Sequence, residues 1–230
     1  MPGWLQCLAM VSLVVSCACT LILATQVVRD PQRMWIMNIV WPVTALWAGP
    51  LALLAYRRWG GAGGMAAMRA AKQRGDEPPN RKQPFAVLAA KAATHCGSGC
   101  TLGDLAAEML IVVAPFTLLG KPIFGAWVYD FVLAYCIGIF FQYFTIKPMR
   151  NLSLGQGLLA AVKADTASLV AWQLGMYGWM AVATFAIFHR ELSKASPVFW
   201  FMMQVAMLCG FMTAYPVNWW LLWRGVKEKM

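Results

Sequence analysis

The sequence predicts an all-α membrane protein, a polytopic bundle of about six transmembrane helices with both termini in the cytoplasm. Of its 230 residues, 60% are hydrophobic and 12% charged, against roughly 25% charged in soluble domains. A soluble fold of this composition would lack polar residues to cover its core. The apolar residues also gather into stretches of the ~20 residues that cross a bilayer. Trp 12, Phe 12 and Tyr 6 match the aromatic enrichment of lipid interfaces.

The first span is expected over 4–28, ending at Arg29-Asp30-Pro31. It lacks the basic n-region of a signal peptide and exceeds the ~7–15 residues of an h-region, so it reads as a retained helix. The second span is expected over 34–56, kinked around Asn38, Trp41 and Pro42 and carrying Pro50, since membrane helices tolerate proline. A polar stretch follows, with Arg57-Arg58, four glycines at 60, 61, 63 and 64, and the loop chemistry of Asp76-Glu77-Pro78-Pro79-Asn80. A short helix over 85–94 then leads into His95-Cys96-Gly97-Ser98-Gly99-Cys100, whose glycines would let the backbone turn.

The third span is placed at 101–119, closed by the tight turn Gly120-Lys121-Pro122, and the fourth at 123–146. Lys147-Pro148-Met149-Arg150-Asn151 reads as a basic loop and Ser153 as an N-cap. Residues 155–188 are too many for one straight crossing at ~1.5 Å per residue. They divide into an interfacial start to 165 and a fifth span over 166–188. A polar loop at 189–196 precedes the sixth span, 197–223. The chain is thus one membrane domain: two spans in 1–56, a basic cytoplasmic loop and short helix in 57–94, and a four-span core in 95–230.

The net charge of +10 could point to nucleic acid, anionic lipid or topology. The basic residues lie between apolar stretches, and no basic-aromatic recognition patch accompanies them, so nucleic acid is set aside. With both termini inside, only Arg29, Arg33, Lys121, Arg190 and Lys194 of the 19 basic residues fall outside, in keeping with the positive-inside rule. Seven cysteines cannot all pair within one chain. Five of them, Cys7, Cys17, Cys19, Cys136 and Cys209, sit in apolar stretches as small hydrophobes.

His95, Cys96 and Cys100 form a soft-ligand set suited to Cu(I) or Zn(II). The spacing is not that of a zinc knuckle and no second pair completes four ligands, which favours Cu(I). A redox dithiol and a purely packing role remain alternatives. Continued as a helix, Cys100, Asp104 and Glu108 share one face. Intramembrane carboxylates face a cavity, a partner or a pathway by default. On that basis Asp104, near the cytoplasmic mouth, and Glu108, deeper, join Asp130, Lys163, Asp165 and Gln173 as polar pathway candidates. Lys163 or Lys91 could instead neutralise a carboxylate as structural glue. Fifteen methionines, with Met176/Met180 one turn apart and Met203/Met207 nearly so, followed by Met212, suggest a thioether ladder for Cu(I) or ordinary gap filling. Tyr215-Pro216-Val217-Asn218-Trp219-Trp220 reads as a kink and an interfacial anchor.

Walker, Rossmann and H-E-x-x-H signatures are absent, as is G-x-S-x-G. His95 and His189 would fall on opposite faces, against a haem held by both. No catalytic set stands out, and a non-enzymatic role is the preferred expectation.

The run His95-Cys96-Gly97-Ser98-Gly99-Cys100-Thr101-Leu102-Gly103-Asp104, with Gln142-Tyr143-Phe144, Pro148-Met149-Arg150, Lys163-Ala164-Asp165-Thr166 and Pro216-Val217-Asn218-Trp219-Trp220, resembles a family of bacterial multi-pass membrane proteins of unknown function. The resemblance spans about residues 85–228. It implies a single membrane domain, located by expectation in the bacterial inner membrane, and supplies no activity.

The residues themselves point first to a protein handling a soft metal ion, Cu(I) before Zn(II), as transporter or accessory factor. His95, Cys96 and Cys100 would capture the ion, with Asp104 and Glu108 as way-stations. The alternatives are a membrane thiol-disulfide protein cycling Cys96 and Cys100, or a non-catalytic subunit. The lipid bilayer is the expected partner, together with a homo-oligomer or a membrane partner subunit.

Overall fold

The structure, a computed structural model, describes residues 1–150 and 152–228, and their side chains except at 80, 81 and 148–150. Among the described residues it is all helix and turn, with eight α-helices. These are α1 (Gly3–Arg29), α2 (Met37–Ala48), α3 (Pro50–Ala55), α4 (Met65–Arg74), α5 (Phe85–Val113), α6 (Pro122–Arg150), α7 (Leu154–Ala181) and α8 (Pro197–Trp223). A π-helical turn over Val182–Ile187 prolongs α7. Five helices, α1 and α5 to α8, are long and apolar enough to cross a membrane, and Val11, Val14, Leu21, Val112 and Val113 stand exposed on their outer faces. An integral membrane helical bundle is therefore the architecture, as the composition requires.

The bundle is built around α5. Helices α5 to α8 run antiparallel in sequence. One end gathers the α5 N-terminus and the α8 C-terminus, where Phe85 meets Trp219 edge-on with ring centroids 4.8 Å apart. The other end gathers the chain reversals at 114–121 and 188–196, where Trp127 and Tyr177 stack at 4.9 Å.

The expected second span is not one continuous helix but breaks and folds back. Gly49, at φ 51 and ψ −125, breaks the helix in a conformation that favours glycine, and Pro50 starts α3 at its first position. Helix α2 descends beside α5, with Thr44 Oγ1 3.4 Å from Ser98 Oγ, as far as Trp47, which packs on Trp172 in the bundle centre at 5.5 Å. The chain then returns. Tyr56 packs edge-on against Trp41 at 5.2 Å and meets Gln32 Nε2 at 3.5 Å. At the top the loop closes on itself: Arg33 N–H donates to Gly63 O and Met65 N–H to Pro31 O, both at 2.9 Å. Segment 32–64 is thus a re-entrant hairpin whose two ends lie at the α5 N-terminal end, where Lys91 Nζ donates to Trp59 O at 3.1 Å. A helix break at this depth needs protein rather than lipid around it. Gln204 supplies that cover, donating to Leu46 O at 2.7 Å and to Ser16 Oγ at 3.0 Å.

The hairpin revises the expected topology. With α2 and α3 returning to their starting side, five helices keep the length and apolarity to cross, and the ends of α1 and α8 nearest the two termini lie at opposite ends of the bundle. Three further boundaries differ. Residues 85–113 form one unbroken helix of 29 residues, because glycine in a lipid-embedded helix serves packing as readily as turning. Helix α7 is continuous from Leu154, with no separate interfacial start, so the expected division at 165 is absent. Helix α6 runs through the expected basic loop to Arg150, while Asn151 and the Pro148, Met149 and Arg150 side chains lie outside the described residues. The Ser153 start is borne out: Ser153 N–H donates to Gln156 Oε1 at 3.3 Å, the reciprocal half of a capping box.

Candidate functional site

In the middle of α5, the glycines of the His-Cys-Gly-Ser-Gly-Cys run make room for neighbouring helices. A Cβ on Gly97 would lie 2.1 Å from the Trp172 ring. One on Gly99 would lie 2.9 Å from Gly138 Cα, and one on Gly103 2.4 Å from Ala134 Cα. Helices α5 and α6 therefore touch backbone to backbone along a stripe of small residues, as membrane helices do when packing has to replace the hydrophobic effect. Ser98 Oγ donates to Thr94 O at 2.8 Å and lies 3.2 Å from Val40 O.

The three expected metal ligands do not converge. His95 Nε2 lies 3.1 Å from Thr145 Oγ1, and its Nδ1 is buried without a partner. Cys96 and Cys100 are free thiols, fully buried, and one turn apart on α5. Among the described residues no group of three or more His, Cys, Asp or Glu side chains is placed to hold a metal ion. The motif lies mid-bundle rather than at a mouth, since its helix extends about ten residues beyond it at each end.

Two clusters of buried polar groups flank this waist. Towards the α5 N-terminal end, Lys227 Nζ reaches Asp165 Oδ1 and Asn218 Oδ1, both at 2.8 Å, and Ala92 O at 3.4 Å. Asn218 Nδ2 in turn donates to Ser168 Oγ at 2.6 Å. Both partners of the Lys227–Asp165 pair are fully enclosed. Gly225, at φ 69, turns the chain back after α8 as a helix C-cap and so inserts the lysine. Lys163, expected on a pathway, points outward and is exposed. Lys227 takes the place expected for Lys163 or Lys91.

Towards the other end, Glu108 of α5 pairs with Lys194 of the 188–196 loop. Asp130 of α6 and Asp104 of α5 are 97% and 99% buried. Asp130 Oδ1 and both Asp104 oxygens lack a well-formed hydrogen bond, with the Gln173 amide beside Asp104. Glu108 and Asp130 open onto a cavity of about 280 Å³ walled by Trp127, Tyr177, Met176 and Met203. Asp104 lines a second cavity of about 180 Å³ with Trp47, Gln204, Met203 and Met207. Of the methionine ladder, Met176, Met180, Met203 and Met207 face these cavities, whereas Met212 is exposed.

Comparison with known proteins bears on which helices carry this arrangement. A family model described as a domain of unknown function, DUF4396, matches residues 87–227. The chain belongs to that family. No curated protein and no solved structure matches the chain. The DUF4396 region takes in α5 to α8 almost entire and ends on the buried Lys227. Every residue lining the larger cavity falls within it, whereas the smaller cavity borrows Leu13, Cys17, Leu46 and Trp47 from α1 and the hairpin. The acidic cavity is thus a feature of the DUF4396 bundle itself.

Sequence reasoning reached Asp104, Glu108, Asp130, Asp165 and Gln173 through the cost of polar groups in lipid. It missed Lys194 and Lys227, which sit in loop and tail. It also missed Tyr177, whose hydroxyl donates to Trp127 O at 2.9 Å. Only the spacing of Tyr177 from Gln173, one turn along α7, could have singled it out.

Proposed function

We propose that the protein binds a cation within the membrane, in the cavity between α5, α6, α7 and α8, as a transporter or an accessory factor of one. The observation that carries this reading is Asp130: a carboxylate 97% buried, lining a cavity and lacking a hydrogen bond on one oxygen, with Glu108 and Asp104 nearby. A buried carboxylate without a partner is costly, and an arriving cation repays that cost. Equilibrium binding to the protein in lipid nanodiscs, with sodium, Zn(II), Cu(I) and methylammonium as probes, tests it. At least one probe should bind and lose tenfold or more affinity in Asp130→Asn. Binding of all four that is indifferent to Asp130→Asn and Glu108→Gln would refute the reading.

A second reading keeps the soft metal, with Cu(I) favoured over Zn(II). The paired thiols of Cys96 and Cys100 and the methionines lining both cavities support it, because Cu(I) accepts two or three sulfur ligands. His95 would be an outer partner. Anaerobic elemental analysis should find close to one equivalent of copper, lost in Cys96→Ser/Cys100→Ser. Full burial of both thiols speaks against a thiol-disulfide role, which needs access for an attacking thiolate. The bacterial cytoplasmic membrane is the proposed location, and the Thr-Leu-Gly-Asp extension of the Cys/His run the proposed family mark.

A further inference from the structure

The cavity that Asp130 lines already holds one cation from the chain itself. Lys194 arrives from the 188–196 loop, which is pinned by Trp200 Nε1 donating to Lys194 O at 2.9 Å and by the buried Leu192. A third of the Lys194 side chain is exposed, yet its ammonium is shut off from solvent against Glu108. It is the one basic side chain lining the cavity among the described residues. At the rim a second ammonium, that of Lys121, sits over the Phe185 ring at 4.6 Å.

The chemistry of the walls selects among cations. The acidic groups are spread over α5 (Glu108), α6 (Asp130) and the 188–196 loop, where Glu191 accepts from Ile123 N–H at 3.4 Å, and among the described residues they do not form a set that could close on a metal ion. Between them stand the stacked rings of Trp127 and Tyr177 and the thioethers of Met176, Met180 and Met203. Separated carboxylates with aromatic and thioether surface between them suit a cation that carries N–H donors at one end and an alkyl body behind. A bare ion would leave that apolar surface unused.

We propose that the cavity takes a small primary alkylammonium, and that Lys194 is its built-in competitor, occupying Glu108 until the ligand displaces it. Asp130 then receives or shares the incoming ammonium. This rests on the cation reading above and adds the class of ligand.

The test uses the full chain in nanodiscs, with n-butylammonium as probe because its four-carbon body and ammonium match a lysine side chain. Binding is read by calorimetry and by the fluorescence of the tryptophans. Lys194→Ala, or Lys194→Gln if the alanine variant is not recovered folded, should bind n-butylammonium at least tenfold more tightly than the wild type. Asp130→Asn on that background should remove the gain. n-Butylammonium should also raise the melting temperature of the Lys194 variant more than that of the wild type. Equal affinity in variant and wild type would overturn the competitor role, and a gain that survives Asp130→Asn would overturn the site. If sodium, Zn(II) or Cu(I) binds in an Asp130-dependent way and n-butylammonium does not, the ligand class is wrong while the cation reading stands. If no cation depends on Asp130, both fall.

Discussion

The two lysine–carboxylate pairs of this bundle use the same chemistry to different ends. Lys227 and Asp165 are wholly enclosed, and the lysine satisfies three acceptors while its neighbour Asn218 is tied to Ser168, with Asp165 Oδ2 left without a hydrogen bond. Lys194 meets Glu108 from a loop with a third of its side chain exposed, and on the same side of the waist Asp130 Oδ1 and both Asp104 oxygens stay without a hydrogen bond. A polar cluster that completes most of its own hydrogen bonds holds helices in register and asks nothing of a ligand. One that leaves buried carboxylates short of donors is where a ligand gains most by arriving. Proximity of charge alone would not separate them; the count of satisfied atoms does.

The sharpest way to break the comparison is to remove the enclosed lysine. Lys227→Met leaves Asp165 buried without its cation, and losing one partner of a buried pair costs about 3–5 kcal/mol. A large drop in melting temperature in detergent, with poor recovery of protein, is the expected outcome. The double variant Lys227→Met/Asp165→Asn should recover much of that loss, because no buried charge is stranded. If the double variant is no better than the single, the pair is not the unit that the geometry describes.

Next in size is the waist between the clusters. Gly103→Ala sets a methyl 2.4 Å from the Ala134 backbone, and Gly99→Ala sets one 2.9 Å from Gly138 Cα. Overpacking of this kind costs about 1–3 kcal/mol, with Gly103 expected to exceed Gly99 because its neighbour is nearer. Melting curves of the two variants check both the size and the order. Equal, negligible losses would mean that α5 and α6 are further apart than described.

Smaller still is the stability change at Lys194. Lys194 reaches the buried Glu108 from a side chain a third exposed, and Glu108 opens on the cavity, so Lys194→Gln should lose less stability than Lys227→Met while its cation affinity changes markedly. A loss as large as that of Lys227→Met would make Lys194 a second structural lock.

These contrasts also mark what the sequence could disclose. A bundle of long apolar helices and its buried carboxylates were legible, because hydropathy and the cost of charge in lipid are properties of the residues themselves, while the number of helices and the extents of α5 and α7 were not. The role of Gly97, Gly99 and Gly103 was not. A glycine that turns the backbone and one that admits Trp172 or Ala134 look alike until the partner helix is known. Lys227 gave no sign of a buried role, since a lysine just past an apolar span reads as a solvated flank unless Gly225 is seen to fold it back. The hairpin is the subtlest case. An apolar stretch over 34–56 has the same hydropathy whether it crosses or returns, and only Gly49-Pro50 at its centre hinted at the break.

That last point yields a prediction that leaves stability untouched. With α2 and α3 returning to one side, Arg29 and Arg33 join the basic loop, and among the described basic residues only Lys121, Arg190 and Lys194 fall at the opposite end. The charge bias is then steeper than in a six-span arrangement, and it places the N-terminus outside and the C-terminus inside. A tag at the N-terminus should therefore be reached by an impermeant reagent added to intact cells. A cysteine introduced in α4, at Arg69→Cys, and a C-terminal tag should be reached only after the membrane is opened. This scoring needs a background in which the exposed Cys7, Cys17 and Cys136 are replaced by serine. If the N-terminus and α4 prove to be on the same side, the chain between them crosses twice, and the hairpin that closes through Arg33–Gly63 and Met65–Pro31 cannot form in the membrane.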